Sequence, residues 1–439
     1  MRLVYNILFF IGFCLSAPFY FLKMWRRGNW RRGFNQRFGI YNSHLKQALT
    51  NRHVLWLHAV SVGEVNICVQ LIRALEKRLP NIKIVVSTTT STGMGELQRT
   101  LPNHIEKIYY PIDRRLFVRR AIGTIHPEAI VLVEAEIWPN FLWTAADRGI
   151  PLFLVNARLS DKSFRGYRRA GFLFRNLFAA FEGVGCQNER DAERLRQLGC
   201  RAEAVHVVGN LKFDAAAPEN RKTLDVPALL RQAGAPENAR ILVAGSTHSG
   251  EERIMAEMLL KLRREFPNLY LVLVPRHFER ARDVGRQLEA AGVRFVYRSE
   301  LTPEARHEHT ECLLVNTTGE LKFFYEHADV IFVGKSLTAE GGQNPIEPGA
   351  LGKAMVFGSN MQNFASIADE FVRSGGAIQV TDRDALEEAM RLLLADWARC
   401  QELGRNALTV VKRNQGAIER TVEMILSKFD CNEIYIAPK

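Results

Sequence analysis

Paired cysteines are missing from this chain, although it contains seven cysteines in all. No two of them form a CxxC pair, and they are scattered: Cys14, Cys68, Cys186, Cys200, Cys312, Cys400 and Cys431. An odd number of scattered cysteines argues against a disulfide framework and against a zinc site. Low-complexity tracts and internal repeats are also absent, which excludes a solenoid and a largely disordered chain. We therefore expect a folded protein of a reducing compartment.

Acidic residues are absent from the beginning of the chain, where the first Asp or Glu is Glu64. Nine Lys or Arg residues precede Glu64, so much of the formal net charge of +12 belongs to this end. Residues 3–22 are uncharged and mostly apolar, which is about the length of a helix that crosses a bilayer core. Pro18 would kink such a helix, so a tilted or interfacial helix is the alternative to a spanning one.

A basic and aromatic segment follows the apolar run. Trp25 and Trp30 are placed at headgroup level, and six cations face anionic lipid: Lys23, Arg26, Arg27, Arg31, Arg32 and Arg37. Residues 1–35 are thus predicted to attach the protein to the inner (cytoplasmic) membrane, with the domains that follow on the cytoplasmic side. A cleaved signal peptide is disfavoured because Arg2 is the only basic residue before the apolar run, where a signal peptide has a positively charged region. A nucleic-acid-binding arm is disfavoured by the tryptophans, so membrane lipid is expected and nucleic acid is not.

Two halves of the chain alternate short β-branched runs with longer amphipathic stretches, which is typical of parallel sheets flanked by helices. The candidate strands are 54–60, 82–90, 129–136, 151–157 and a short run near Cys186, followed by 240–246, 269–275, 293–297, 312–317, 329–334 and 354–358. The predicted fold is α/β, with Rossmann-like domains at 36–213 and 239–439 and a linker at 214–238. Because ligands bind beyond the carboxyl ends of parallel strands, we expect a cleft between the domains to hold donor and acceptor.

The first strand-to-helix junction carries the strongest catalytic candidate. The segment HAVSVGEV brings His58, Ser61, Gly63 and Glu64 to the carboxyl end of the first predicted strand. In the functional interpretation, Glu64 is a general base that removes the proton of an acceptor hydroxyl. In the structural alternative, the acid only stabilises the first turn of a helix through the helix dipole.

Four strand-end loops of the second half have the residues that anions need. GSTHSGEE offers backbone N–H groups at Ser246 and Gly250, and VPRHFER contains Arg276, which can hold a phosphate through two parallel hydrogen bonds. TTGELKFFY and GGQNPIEPGALGK follow two further strands. The last of these lacks the glycine spacing of a P-loop, so NTP hydrolysis is not indicated. Four such loops in one domain indicate a nucleotide-linked donor.

Taken together, these segments resemble the 3-deoxy-D-manno-octulosonic acid (Kdo) transferases of lipid A core assembly, which are GT-B glycosyltransferases with two Rossmann-like domains. The resemblance runs from Arg37 to Asn363 and rests on HAVSVGE, EIWPN, VGNLKFD, VPRHFER, TGEL and GGQNPIEPGALGK. It implies that CMP-Kdo donates Kdo to a hydroxyl of a tetraacylated lipid A precursor with inversion of the anomeric configuration. No cofactor and no metal are expected.

The resemblance also implies roles for individual residues. Glu64 corresponds to the proton acceptor, and Glu134 and Lys212 correspond to groups that stabilise the transition state. The implied CMP contacts are Pro275, Arg276, Thr318, Gly319, Glu320, Asn344, Pro345, Ile346 and Glu347. Three positions depart from the family's pattern, namely Gln343 where His is usual, Asn316 where Asp is common and Thr318 where Met is common. Donor contacts around them are expected to differ in detail.

Two other functions are compatible with the same pattern. One is a hexosamine transferase or nucleotide-sugar epimerase that uses a UDP-sugar, and the release of CMP from CMP-Kdo separates it from the first interpretation. The other is a catalytically silent membrane scaffold. The presence of Glu64, Lys212 and Arg276 speaks against a scaffold.

Overall fold

The chain divides into two compact units in the computed structural model, which describes residues 2–26, 31, 33–134, 136–214, 224–302 and 307–428. The first unit comprises Met1–Ala215 and Gln415–Lys439, and the second comprises Ala216–Asn414. Residues 215–223 of the predicted linker lie outside the described residues, as do Arg27, Trp30 and Arg32 of the predicted basic segment.

The first unit is built on a seven-stranded sheet in which all strand pairs are parallel. Its strands are β1 Val54–His58, β2 Lys83–Thr88, β3 Glu106–Tyr109, β4 Ala129–Val133, β5 Leu152–Ala157, β6 Phe181–Cys186 and β7 Val205–Val207, in the order β3-β2-β1-β4-β5-β6-β7. β1, β4 and β5 are buried throughout, because helices cover both faces of a parallel sheet. The order reverses between β1 and β4, which is the point where such sheets bind ligands.

Nine α-helices lie in the described residues of the first unit that precede the second unit in sequence. They are α1 Arg2–Arg26, α2 Ser43–Leu49, α3 Val62–Arg78, α4 Ser91–Thr100, α5 Arg115–Ile125, α6 Pro139–Ala146, α7 Asp161–Arg169, α8 Gly171–Phe178 and α9 Glu189–Leu198. Two apolar clusters form the core, one around Trp56 and Phe141 and the other around Leu57 and Ile72.

Helix α1 contacts the rest of the first unit through a polar face near its beginning. Arg2 donates two hydrogen bonds to Asp147, at 2.6 and 2.8 Å. The opposite face exposes apolar side chains such as Leu3, Leu8 and Leu15, which are 73%, 64% and 78% exposed. Residues 2–22 are long and apolar enough to cross a membrane, with a mean hydropathy of 1.7. The predicted apolar helix is therefore present.

The second unit repeats the architecture with seven parallel strands. They are β8 Arg240–Thr247, β9 Leu269–Pro275, β10 Phe295–Tyr297, β11 Cys312–Leu314, β12 Val330–Val333, β13 Ala354–Gly358 and β14 Ile378–Val380, in the order β10-β11-β9-β8-β12-β13-β14. The helices are α10 Val226–Gln232, α11 Glu251–Leu262, α12 Ala281–Ala291, α13 Leu321–Glu326, α14 Ile346–Ala350, α15 Ala365–Arg373, α16 Arg383–Ala395 and α17 Trp397–Asn414. The strand order reverses between β8 and β12.

The end of the described chain differs from the expected closing helix of the second domain. Helix α18 (Ala417–Leu426) follows a break at Gly416, whose φ of 81° is in the left-handed region. Asp214 accepts hydrogen bonds from the backbone N–H groups of Gly416 and Ile418, each at 2.7 Å. The apolar face of α18 joins the core of the first unit through Val422 and Ile425. The chain thus returns to the first unit, whereas 239–439 had been assigned to one domain.

The predicted α/β class with two Rossmann-like units is confirmed. Every candidate strand of the sequence corresponds to an observed one, although the ends differ by a few residues. β3, β7 and β14 were not predicted, and each of these three is only three or four residues long.

Candidate active site

Glu64 lies at the carboxyl edge of β1, in the first turn of α3, beside the point where the strand order reverses. Its carboxylate accepts hydrogen bonds from the backbone N–H of Val60 at 2.8 Å and of Ser61 at 3.3 Å. The Ser61 hydroxyl accepts in turn from the Glu64 N–H, which completes a capping box. The helix-stabilising contact proposed as the structural alternative is therefore present, and Glu64 is only 7% exposed.

Burial raises the pKa of Glu64 above its ordinary value. The hydrogen bonds from Val60 and Ser61 lower it, while the negative fields of Glu134 and Glu136 raise it further. The upward shift prevails, so the carboxylate is a stronger base than an exposed Glu and is still ionised when the pH exceeds its pKa. The capping box fixes the direction of this base, and the two roles are compatible.

Glu134 follows β4 directly and occupies a strained backbone conformation. Its φ of 60° is in the left-handed region, which non-glycine residues rarely adopt. The Glu134 N–H donates to the carbonyl of Val155 at 2.9 Å, so the conformation is fixed by the neighbouring strand. Its carboxylate lies 3.5 Å from the Lys212 ammonium, and both side chains are partly exposed. Backbone strain of this kind clusters at functional sites, where the surrounding structure holds a side chain in one direction.

Lys212 is held by a buried amide network that explains the VGNLKFD motif. Asn156, with a φ of 54°, accepts from the N–H of Leu211 at 3.1 Å, and its carbonyl accepts from Gln187 at 3.1 Å. Asn210 donates to Gln187 and accepts from the N–H of Lys212, both at 3.1 Å. Three amides on three different segments therefore position the loop that brings Lys212 to Glu134.

The residues of the first switch point include one carboxylate that the sequence interpretation gave no role. Glu136 belongs to the quoted EIWPN segment and accepts a hydrogen bond from the Trp138 indole at 2.9 Å. Burial raises its pKa, and the charge of Glu134 raises it further. Glu64, Glu134 and Glu136 thus form a cluster of three interacting carboxylates. The sequence signal that could have identified Glu136 is its position two residues after Glu134, at the same strand end.

His58 is packed in the interior of the first unit. It is fully buried, its Nδ1 lies 2.9 Å from the Ser87 hydroxyl, and its ring stacks on Tyr110 with centroids 3.9 Å apart. Burial lowers its pKa to about 3, so the ring is neutral near pH 7.

In the second unit, Arg276 and Glu347 lie close enough to interact electrostatically. Arg276 follows β9 and is exposed, while its backbone N–H donates to the carbonyl of Thr247 at 3.0 Å. Burial raises the pKa of Glu347, and a hydrogen bond from Asn344 at 3.1 Å lowers it, as do the charges of Arg276 and Lys322. The Asn344 side chain also accepts from the N–H of Ile346 at 3.1 Å. Asn344 therefore fixes both the backbone at Ile346 and the side chain of Glu347.

Glycines shape the loop that leads from β12 to this segment. Gly341 and Gly342 have φ values of 122° and 69°, and a Cβ at Gly341 would lie 2.8 Å from the Asn363 amide nitrogen. The fully buried carboxylate of Glu251 accepts from the backbone N–H groups of Lys335, Ser336 and Leu337, at 2.7, 2.9 and 3.0 Å. The loop is thus held in one conformation by a buried acid that the sequence interpretation did not single out.

The remaining predicted donor contacts are divided between free and occupied groups. Thr318 and Gly319 are exposed at the loop after β11, and Gly319 has a φ of 82°. The Glu320 carboxylate instead pairs with Arg298 at 3.1 Å and accepts from the Thr317 hydroxyl at 2.6 Å. Pro275 ends β9 and is buried. The predicted donor residues therefore share the carboxyl edge of one parallel sheet. Among the residues the structure describes, no group of three His, Cys, Asp or Glu is arranged to hold a metal ion.

Comparisons with known proteins agree with the sequence resemblance. Residues 32–215 match the family model described as "3-Deoxy-D-manno-octulosonic-acid transferase (kdotransferase)". A 3-deoxy-D-manno-octulosonic acid transferase of Haemophilus influenzae is 30% identical over 97% of this chain and 98% of its own length. The enzyme of the same name from Bordetella pertussis is 33% identical over 93% of this chain and 96% of its own.

A solved structure shows the same architecture at low sequence identity. The UDP-GlcNAc 2-epimerase of Neisseria meningitidis superposes with a TM-score of 0.56, at 15% identity, over 86% of this chain and 100% of its own. At that identity the likeness concerns the fold alone.

Proposed function

The chain belongs to the 3-deoxy-D-manno-octulosonic acid transferase family, and we propose that it moves Kdo from CMP-Kdo to a tetraacylated lipid A precursor with inversion. The family makes it a glycosyltransferase of lipopolysaccharide biosynthesis. The observation that carries the assignment of its base is the position of Glu64, which has a raised pKa beside Glu134 and Glu136 at the reversal point of the first sheet.

We propose that the first unit supplies the acid–base chemistry. The acceptor hydroxyl oxygen bonds to the anomeric carbon of Kdo, the bond from that carbon to the CMP phosphate oxygen breaks, and the hydroxyl proton passes to Glu64. The two N–H bonds from Val60 and Ser61 hold the carboxylate in place during this transfer. Lys212, oriented by the amide network and by Glu134, stabilises negative charge in the transition state. A single displacement of this kind inverts the anomeric centre.

The second unit is proposed to bind CMP-Kdo at the strand ends of its sheet. The guanidinium of Arg276 is exposed and can form two parallel hydrogen bonds with the phosphate. Asn344 and Glu347 fix the segment after the glycine loop, and the backbone at Thr318 and Gly319 is open to the nucleotide. Pro275, Glu320, Pro345 and Ile346 shape these loops. Glu320, which is paired with Arg298, would act by positioning its loop.

Metal independence is part of the proposal. Cationic side chains and backbone N–H groups offset the charge of the departing CMP, which is the task that a metal ion performs in many other transferases. Transfer in the presence of excess chelator should proceed at the rate measured without it. A rate that falls with chelator and returns with Mg²⁺ would contradict this part.

Helix α1 is proposed to attach the protein to the cytoplasmic face of the inner membrane by lying in the interface. Arg2 is bonded to Asp147 near the beginning of α1, and the Phe21 ring contacts Phe34 near its end, with centroids 6.5 Å apart. A helix that touches one soluble unit at both ends does not carry its first residues to the other side of a bilayer. Its exposed apolar face instead enters the lipid.

The position of Leu3 separates the interfacial helix from a spanning one. Leu3→Cys is introduced with Cys14→Ser and Cys431→Ser, since the other cysteines are buried. An impermeant maleimide added to spheroplasts should leave the variant unlabelled until the membrane is opened. Labelling of intact spheroplasts would place residue 3 outside and refute the interfacial helix.

Nucleotide release tests the proposed donor directly. Purified protein is incubated with the lipid acceptor and with CMP-Kdo, or with UDP-N-acetylglucosamine. We expect CMP only in the first reaction and UDP in neither. Release of UDP without CMP would favour the UDP-sugar alternative, and release of neither would favour the scaffold.

A further inference from the structure

An open groove of about 650 Å³ lies between helices α1 and α5, and none of the three clustered carboxylates lines it. One wall is the apolar side of α1 with Phe9, Phe10 and Phe13, and the other is formed by α5 and the loop before it. Three arginines line it, namely Arg114, Arg115 and Arg119, and no acidic residue does. The transfer reaction uses none of these groups, so the groove calls for another explanation.

The cations of the groove are in excess over the acids near them. Two acids lie near these cations, and both already have partners. Asp113, which precedes Arg114, is buried and accepts hydrogen bonds from Tyr5 and from two backbone N–H groups of α6. Asp147 interacts with Arg115 and Arg119 and is hydrogen-bonded to Arg2. Helix α5 also begins without a side-chain cap and without an acid in its first turn. Arginines at the positive end of a helix are unfavourable unless an anion lies beside them. The rim of the groove is therefore suited to a phosphate.

The floor and the outer wall are suited to an acyl chain. Ile7, Phe10 and Ile11 of α1 line the groove while remaining 51% exposed, and Leu116 of α5 is 49% exposed. The Arg114 guanidinium lies over the rings of Phe10 and Phe117, each at 5.6 Å, so aromatic surface and positive charge adjoin. Exposed apolar surface of this extent marks a place for a lipid or a partner.

We propose that this groove binds one anionic glycerophospholipid of the bilayer, with an acyl chain between α1 and α5 and the phosphate on Arg115 and Arg119. The inference rests on the proposed membrane attachment of α1 and is independent of the transfer chemistry. A volume of 650 Å³ is that of a site for one small ligand, which suits one or two acyl chains better than the four of the acceptor. The bound lipid would join α1 to the first unit.

Native mass spectrometry of the full-length protein in non-ionic detergent tests the site. Phosphatidylglycerol, phosphatidylcholine, inorganic phosphate and the lipid A precursor are added in separate samples. We expect one phosphatidylglycerol to remain bound to the wild-type protein, with phosphatidylcholine, phosphate and the precursor retained at least about tenfold less. Phosphatidylcholine has no net negative charge, inorganic phosphate has no acyl chain, and the four acyl chains of the precursor fit a groove of this volume less well than two.

Matched variants locate the binding. Arg115→Gln combined with Arg119→Gln should lower phosphatidylglycerol retention about tenfold or more, whereas Arg120→Gln, on the same helix but outside the groove, should leave it unchanged. Ile11→Ser should lower it, and Val4→Ser should not, although the two side chains are 51% and 53% exposed. Thermal melting verifies that all variants fold.

Three results would overturn the proposal: equal retention in the double arginine variant, equal retention of phosphatidylcholine, or preferential retention of the lipid A precursor. The readout is bound lipid instead of released CMP. A failure of this proposal is thus distinguishable from a failure of the proposed transferase reaction.

Discussion

Replacing Glu64 by Gln separates the catalytic role of this side chain from its structural one. A capping box accepts Gln as well as Glu at this position. The amide oxygen can keep the 2.8 Å bond from the Val60 N–H, while the amide NH₂ group cannot accept the weaker 3.3 Å bond from Ser61. The loss of one weak bond and of a favourable helix-dipole contact should cost about 1–2 kcal/mol of stability. The variant should therefore remain folded.

The same substitution removes the proposed base entirely. General-base catalysis contributes about 10²–10⁴-fold to a rate, so kcat should fall by about that factor while the KM for CMP-Kdo changes little. Ser61→Ala is the matched control, because it removes the hydroxyl that accepts from the Glu64 N–H but leaves the carboxylate. It should cost about 0.5–2 kcal/mol of stability and retain most of the activity.

The pH dependence gives a second measurement on the same variant. The pKa of Glu64 is raised, so the wild-type rate should fall as the pH drops through that raised value, where the base becomes protonated. The residual rate of Glu64→Gln should lack this acid limb. If Glu64→Gln kept wild-type kcat at every pH while Ser61→Ala lost activity in proportion to stability, Glu64 would be only a helix cap.

Three further predictions concern other groups. Lys212→Met and Glu134→Gln should each lower kcat by at least about tenfold. The kcat of the double variant should fall by less than the product of the two single effects, because the two groups lie 3.5 Å apart. Independent effects in a kinetic double-mutant cycle would contradict a shared role. Arg276→Lys keeps the charge but loses the paired hydrogen bonds, so the KM for CMP-Kdo should rise roughly tenfold with kcat less affected, and an unchanged KM would remove Arg276 from the donor site. Asp113 is 2% exposed, and burial raises its pKa to about 6, above an unfolded value of 3.8. Its contribution to the free energy of unfolding should therefore be fully present below pH 3.8 and be lost as the pH rises through 6. The loss should be on the order of 3 kcal/mol at most. Denaturant unfolding of the wild type and of Asp113→Asn across this range measures the difference, and parallel curves would contradict the shift.

Much of the fold follows from short-range patterns in the sequence. The apolar runs that became β1, β4, β8 and β9 are buried on both faces, and such runs bounded by turn residues indicate a parallel sheet. The short strands β3, β7 and β14 each lie at the edge of a sheet. Polar or charged residues also interrupt their sequences, as in EKIY, VHV and IQV, so these strands were missed. The equally short β10 and β11 have the wholly apolar sequences FVY and CLL and were predicted.

Long-range packing is what the sequence could not supply. The amphipathic pattern of α18 indicates a buried face but not its partner, and the partner is the first unit, through Asp214 and the adjacent core. The docking of α1 likewise depends on pairs more than a hundred residues apart, such as Tyr5 with Asp113 at 2.7 Å. The apolar composition of α1 predicted a membrane helix, while its contacts with the domain required the structure.

The candidate site was predicted only in part, because some of its contacts also join residues far apart in sequence. The position of Glu64 followed from the strand-to-helix junction. Its raised pKa comes first from burial and then from the charges of Glu134 and Glu136, which come from a different strand end. The amides of Asn156, Gln187 and Asn210 are ordinary polar residues in sequence. Their common role emerges only when β5, β6 and the following loop lie side by side.

Mass spectrometry of the lipid product tests the central claim most directly. Wild-type protein is incubated with the tetraacylated lipid A precursor and CMP-Kdo, and the lipid is analysed together with the released nucleotide. The proposed reaction predicts a lipid heavier by whole Kdo residues, with one CMP formed for each residue added. An acceptor of unchanged mass in a reaction where the protein is folded and CMP-Kdo is intact would contradict the assignment.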